Sequence, residues 1–349
     1  MPARYDQRTA RIPSVRLFRG YPRAAAALVL LLVPPPPTAA ATLEVGPGKP
    51  YSQPSAAAAV AHDGDRVVIA PGEYFDCAVW EQNNLVIEGD PAGGTVITDK
   101  TCQGKALFVI PGNDVTVRNL TLTRARVPDN NGAGIRAEGR NLTADRVRFI
   151  NNQDGILAGG PPQSTLQIEH CTFSANGEPD PQLPTAALFV GELDHLSIHD
   201  TEFQPGRGGA VISSDTKVTE IINSQIARPG SPRGTPVQVS GGLVAEDSTF
   251  QAGPAPGGKQ AAILVVSGSL PDPVLILKRN RLEGSGTLLL NWSGRAPVLE
   301  DNVVGPGGQI SSTSGEWEHR VRAFGREAYS TLRHWAGSVR NRLRERFRH

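Results

Sequence analysis

The chain has 349 residues, ample for one large core, with 38 Gly, 29 Pro and a formal net charge of +1. Residues 1–41 carry 6 basic and 1 acidic side chain and residues 316–349 carry 9 Arg and 4 Glu, which leaves an acidic body of 20 basic and 29 acidic residues. An acidic body argues against nucleic acid as the main partner. Dense turn residues, with almost no helix-period pattern before residue 316, exclude a helical bundle and predict a repetitive all-β domain.

The first segment reads as an export signal. Arg16, Arg19 and Arg23 precede the apolar run Ala24–Val33, and four prolines and Thr38-Ala39-Ala40-Ala41 follow it. A basic region, a ten-residue apolar run and an A-x-A site predict a signal peptide over 1–41, cut after Ala41. Ten apolar residues are half of the ~20 that span a bilayer. The expected location is the periplasm or the cell exterior.

Residues 52–61 read as a short Ala-rich helix, stopped by Asp63-Gly64. The strand Asp65–Ala70 and a Pro71-Gly72 turn follow. A helix and then G-D-x-V-x-I-x-P-G-x-Y over Gly64–Tyr74 resembles the opening coil of right-handed parallel β-helix proteins, the pectate-lyase-like, carbohydrate-active group. The resemblance implies an all-β, right-handed parallel β-helix solenoid over 42–311, with the helix capping its open strand edges. It implies polysaccharide as the ligand class. It is specific for fold and weak for function.

Asn113–Gly159 holds two near-copies, VTVRNLTL…NNGAGIRAEG and LTADRVRF…NNQDGILAG. One copy cannot bury its own apolar residues and needs a neighbour stacked on it. Indexed on one bulky residue, the repeat runs Leu122, Phe149, Phe173, Phe203, Ile226, Phe250, Leu282 and Val304, at an average spacing of 26. Two residues earlier lies the row Leu120, Val147, Cys171, Thr201, Ser224, Ser248, Asn280 and Asn302. Five earlier lies Val117, Ala144, Ile168, Ile198, Ile221, Ala245, Leu277 and Leu299. These rows are expected to stack along the interior of about ten coils over 65–311. Cys77 and Cys102 lie 25 residues apart, about one coil, and with export they are expected to form a disulfide. Cys171 reads as a small core residue.

Two polar sets could carry chemistry. Four residues before the index position an outward ladder reads Arg118, Asp145, Glu169, His199, with Arg148 and Glu202 in a second row. Asp145, Glu169 and His199 are the candidate catalytic groups, with Arg118 and Arg148 as substrate contacts. Paired carboxylates suit acid–base attack on a glycosidic bond, and a carboxylate beside Arg suits proton abstraction next to a uronate. The competing reading is a solvated face of alternating charge. The second set is the polar turn with Asp129, Asn130, Arg136, Asn152 and Asp154, a sugar-hydroxyl or cation site, or simply Asn residues that hold a turn. Ca²⁺ is the one cofactor such oxygen-rich turns invite, but no D-x-D-x-D spacing occurs. No Ser-His-Asp arrangement, P-loop, GxGxxG or Cys/His metal spacing is present.

Later turns are apolar where β-helix enzymes usually collect polar residues. Leu157, Phe189 and Ile212 are expected there as an outward strip that needs a cover or partner. The tail, 312–349, changes period. Trp317, Val321, Phe324, Ala328, Leu332, Trp335, Val339, Leu343 and Phe347 recur every 3 or 4 residues opposite an Arg-rich face, predicting a basic amphipathic helix. It could pack on the solenoid or touch an anionic membrane surface. Two functions stay open: a lyase, epimerase or glycosidase-like enzyme, and a non-catalytic carbohydrate-binding or envelope-structural protein.

Overall fold

The computed structural model describes residues 40–313, apart from 180–184, 232–233, 256–257 and 267–273. The expected leader up to residue 39 and the expected tail helix lie outside the described residues. From Arg66 onward each coil contributes one strand to each of three parallel sheets. Leu142–Asp145, Arg148–Ile150 and Asp154–Ala158 form one coil; Thr165–Glu169, Thr172–Ser174 and Ala186–Val190 form the next. Among the described residues the first sheet has eleven strands, the second ten and the third ten, joined by the antiparallel strand Gly253–Ala255 beside Lys259–Val265. The chain is a right-handed parallel β-helix of about eleven turns. The turn beyond the expected ten begins at Thr42–Val45, which pairs with Arg66–Ile69 ahead of the helix.

The helix is shorter than its alanine pattern predicts, Pro54–Ala58, with Pro in its first turn and no side-chain cap. Ala57, Ala58 and Ala61 enter the core at the first coil. Five residues are too few for an isolated helix, so this one exists through that packing.

The predicted rows stack as indexed. Phe149 pairs with Leu122 and Phe173 in the second sheet, and Phe173 with Phe203. Their rings stack face to face, with centroids 4.6 Å apart in both Phe149–Phe173 and Phe173–Phe203. Each buried ring contributes roughly 1.5–3 kcal/mol. Gly155 makes room for this column, because a Cβ there would sit 2.7 Å from the Phe173 ring and 2.4 Å from the Ala187 carbonyl oxygen.

The row that opens with Leu120, Val147 and Cys171 turns polar further along and becomes a hydrogen-bond ladder. The backbone N–H of Cys171 donates to Thr201 Oγ1 at 3.2 Å, that of Thr201 to Ser224 Oγ at 3.2 Å and that of Ser224 to Ser248 Oγ at 3.1 Å. Ser248 N–H then donates to Asn280 Oδ1 at 3.1 Å, and Asn280 N–H to Asn302 Oδ1 at 3.0 Å. A bend leaves backbone groups outside the sheet ladders, and a buried N–H without a partner costs about 1–3 kcal/mol. Each coil therefore satisfies the one before it. Cys77 and Cys102 form the expected disulfide, and Cys171 is buried with its thiol pushed up to about 12 by desolvation.

Candidate functional site

Outward side chains on adjacent parallel strands stand about 4.8 Å apart. On the first sheet Arg118, Asp145, Glu169 and His199 are register neighbours, as indexed from the sequence. Their partners differ from the simple ladder. Glu88 lies one coil before Arg118 and is buried; Arg66 Nε donates to its Oε1 at 2.7 Å and Arg118 Nε to its Oε2 at 2.7 Å. Arg118 is thus engaged by Glu88, away from Asp145.

That leaves Asp145 and Glu169 as like charges one coil apart. The counter-charge comes from the bend between the first and second sheets. One residue per coil there takes a left-handed conformation, among them Asn119, Arg146, His170, Asp200 and Asn223. Asn and Asp tolerate this conformation best. Arg146, at φ 52°, is a costlier occupant, by about 1 kcal/mol or more, whereas His170, also at φ 52°, belongs to the residue types that tolerate it. Both turn toward Asp145: His170 Nδ1 lies 3.0 Å from Asp145 Oδ1, and Arg146 pairs with Oδ2. Asp145, Glu169 and His170 bring three ligand atoms within 4.8 Å of one another, the only such His/Cys/Asp/Glu group among the described residues.

The histidine in this group is His170 rather than the expected His199. His199 Nε2 lies 3.8 Å from Glu220 Oε1, and His195 Nε2 lies 3.1 Å from Glu220 Oε2. Glu220 stands opposite Ser197, between the two histidines, so one carboxylate draws both. Arg148 is exposed on the second sheet, between Thr121 and Thr172.

The second predicted set separates into surface and interior. Asp129 is exposed and accepts a bond from Asn131 Nδ2 at 2.9 Å. Asn130 Oδ1 accepts from Gln153 Nε2 at 2.9 Å. Gln153 also accepts from the Val127 and Gly132 N–H groups and so holds this loop closed. Asn152 is fully buried; its Oδ1 accepts from Ala125 N–H at 2.9 Å and its amide donates to Leu122 O at 3.0 Å. Every polar atom of Asn152 serves the turn, which leaves nothing for a sugar to touch. Arg136 and Asp154 are fully buried. Arg136 Nε lies 3.4 Å from Glu138, which Lys105 holds at 2.7 Å, and Asp154 accepts from Ala186 N–H at 2.9 Å.

The expected apolar strip needs two corrections. Leu157 and Phe189 do share an outward row of the third sheet, but both are buried. Ile212 pairs with Leu188 and faces the interior, because the register that aligns Phe189 aligns it with Ser213.

Chemically, the Asp145–Glu169–His170 group can move a proton or hold a divalent cation with mixed oxygen and nitrogen ligands. A linear spacing such as D-x-D-x-D is not needed, because the three side chains come from two coils. Sequence reasoning missed His170 and Arg146 because it followed rows of strand residues. The signal was a further polar row at each bend, three residues before the index position.

Fold and face together define a right-handed parallel β-helix with two half-buried carboxylates and an exposed imidazole grouped at its first sheet. No protein-family model and no curated protein matches the chain. Among solved structures it is similar to a pectin methylesterase from Aspergillus niger, with a TM-score of 0.52, 12% identity, and coverage of 78% of this chain and 89% of that one. A pectin methylesterase from Erwinia chrysanthemi follows at 0.45 and 13% identity, over 82% and 96% of the two chains. At these identities the likeness is one of fold.

Proposed function

We propose that this chain is an exported protein that binds polysaccharide along the outward face of its first sheet and acts on it through Asp145, Glu169 and His170. The observation that carries the reading is the convergence of these three groups within 4.8 Å on an accessible surface. Two carboxylates this close, one clamped by Arg146 and His170 and the other in no ion pair among the described residues, are placed to play different parts in acid–base attack on a glycosidic bond or a sugar C–H. The disulfide fits an oxidising compartment. The Aspergillus protein of like fold is named for an activity on pectin, which makes acidic polysaccharide the first ligand class to test.

A specific observation favours the non-catalytic alternative. Arg279 grips Asp247 and Glu246 of the preceding coil as His170 and Arg146 grip Asp145, so the motif also serves as an ordinary tie between bends. A glycan array run beside assays for uronate double bonds, released methanol and reducing ends separates the two. Binding with turnover that Asp145→Asn and Glu169→Gln both abolish supports catalysis. Binding without turnover leaves a binding protein, and no binding to any polysaccharide ends the reading.

A further inference from the structure

A sheet face open to water alternates buried and exposed side chains. The first sheet does so: Thr165–Glu169 and His195–His199 bury every second residue. The third sheet does not over five of its strands, while Ala210–Ser214 and Val237–Val239 between them keep half-buried outward residues. Ala106–Ile110, Ala133–Ala137, Asp154–Ala158, Ala186–Val190 and Thr287–Asn291 are buried at all five positions. Four of its outward side chains are as dry as its core: Leu157 is 0%, Phe189 3%, Leu264 1% and Leu290 1% exposed. The described neighbours of Leu157 and Phe189 in their apolar cluster come from the sheet itself and from Cys102, all at the level of the strands. The apolar neighbours Leu157 and Phe189 and, further along, Leu264 and Leu290 would form aggregation-prone patches if left in water.

The chain carries a segment that matches the row. The last described strand, Gln309–Thr313, is the final rung of this third sheet, so the remaining residues leave from one end of the row. From Ser312 back to Val79 the row is continuous in register, apolar at Leu290, Leu264, Phe189, Leu157, Val109 and Val79 and interrupted by Gln238, Ser213 and Arg136. Its nine steps span about 43 Å at ~4.8 Å each. The apolar stripe from Trp317 to Phe347, in helical form, is about 45 Å long at ~1.5 Å per residue. In helical form Arg322, Arg326, Arg333, Arg340, Arg344 and Arg348 lie away from that stripe, suited to water, while Arg342 and Arg346 fall on its side near the end.

We propose that residues 316–349 fold back as a helix along the outward face of the third sheet, antiparallel to the coil order, with Trp317 near Leu290 and Leu343 near Val79. The tail then supplies the cover that keeps Leu157, Phe189, Leu264 and Leu290 buried, and Asp154 and Arg136 lie beneath it. The occupant is this chain's own C-terminus rather than the export segment or a second copy, because the tail alone begins at the end of the row and matches its length.

Photo-crosslinking of the full chain tests this. A benzophenone side chain at Leu290 should crosslink within residues 316–326, and one at Leu157 should crosslink in the second half of the tail, both within one molecule. Crosslinks to residues 1–41, crosslinks between two copies, or none from a folded chain overturn the proposal. Should the labelled chains fail to fold, trypsin decides on the unaltered protein. A docked tail keeps Arg320, Arg326 and Arg333 uncut at enzyme levels that cleave an unfolded control within minutes. Cleavage there as fast as in the control overturns it.

Discussion

His170 Nδ1 reaches back across one coil to Asp145 Oδ1 at 3.0 Å, from a backbone position that favours Asn or Asp. The contact joins a left-handed bend residue to a carboxylate on the sheet of the preceding coil. It therefore depends on the stacking register and on the bend together. If the group is catalytic, Asp145→Asn and Glu169→Gln should each lower turnover on a polysaccharide by about 10²–10⁴-fold. His170→Ala should lower it less and shift the pH profile, while His199→Ala, directed at Glu220, should leave turnover unchanged. Steady-state kinetics on folded variants checks all four. Equal loss from His199→Ala and His170→Ala would mean that the geometry misidentifies the histidine.

The interior ladder should show its value in asymmetric substitutions. Asn280 accepts from Ser248 N–H and donates to Ala245 O at 2.7 Å in a fully buried bend. Asn280→Leu strands both backbone groups and should cost about 2–4 kcal/mol in urea unfolding. Ser248→Ala removes one acceptor and should cost about 1–2 kcal/mol. Similar small losses from the two would show that water enters the ladder.

Phe173 lies between two stacked rings, so its column has no free side to collapse into. Phe173→Ala should cost about 3–5 kcal/mol, and Phe173→Leu, which keeps most of the volume, roughly 1–2 kcal/mol. Thermal unfolding of the three proteins would report the order. A cost for Phe173→Ala below that of Phe173→Leu would contradict the packing.

Cys77 and Cys102 close a loop of 25 residues around the first coils. In the chain-entropy model a loop of that size contributes about 3 kcal/mol. Unfolding with and without reductant should differ by about that amount. The loss should appear first in the N-terminal coils, as faster hydrogen exchange at Val67, Ile87 and Phe108.

The bend carboxylate Asp247 is held below its usual range, chiefly by its hydrogen bonds from Arg279. Its folded value is below its unfolded value. The bridge therefore adds stability at pH above about 4, and that part is lost as pH falls through the folded value. Arg279→Met should remove this part of the acid dependence below pH 4 and leave the profile at pH 6–8 unchanged in shape. The group is exposed, so the effect should also shrink in 1 M salt. Acid titrations of both proteins that superimpose after a constant offset would count against it.

The amino-acid order alone determined the solenoid and its internal register. One inward residue per coil must stack on its equivalent, so the Leu122–Phe149–Phe173–Phe203 spacing and the Cys77–Cys102 interval carry the pairing without any knowledge of distance. The ladder Arg118–Asp145–Glu169–His199 was legible for the same reason. Tertiary structure decided which members act together. Side chains at a bend project along the solenoid axis as well as outward, which brings His170 and Arg146 to Asp145, turns Arg118 to Glu88 and turns His199 to Glu220. It also decided that Asn152 holds a turn and that Leu157 and Phe189 are covered while Ile212 faces inward. A strand of alternating side chains shows its two faces in sequence. Burial of the outer face depends on what lies across it, and no local pattern within the strand encodes that.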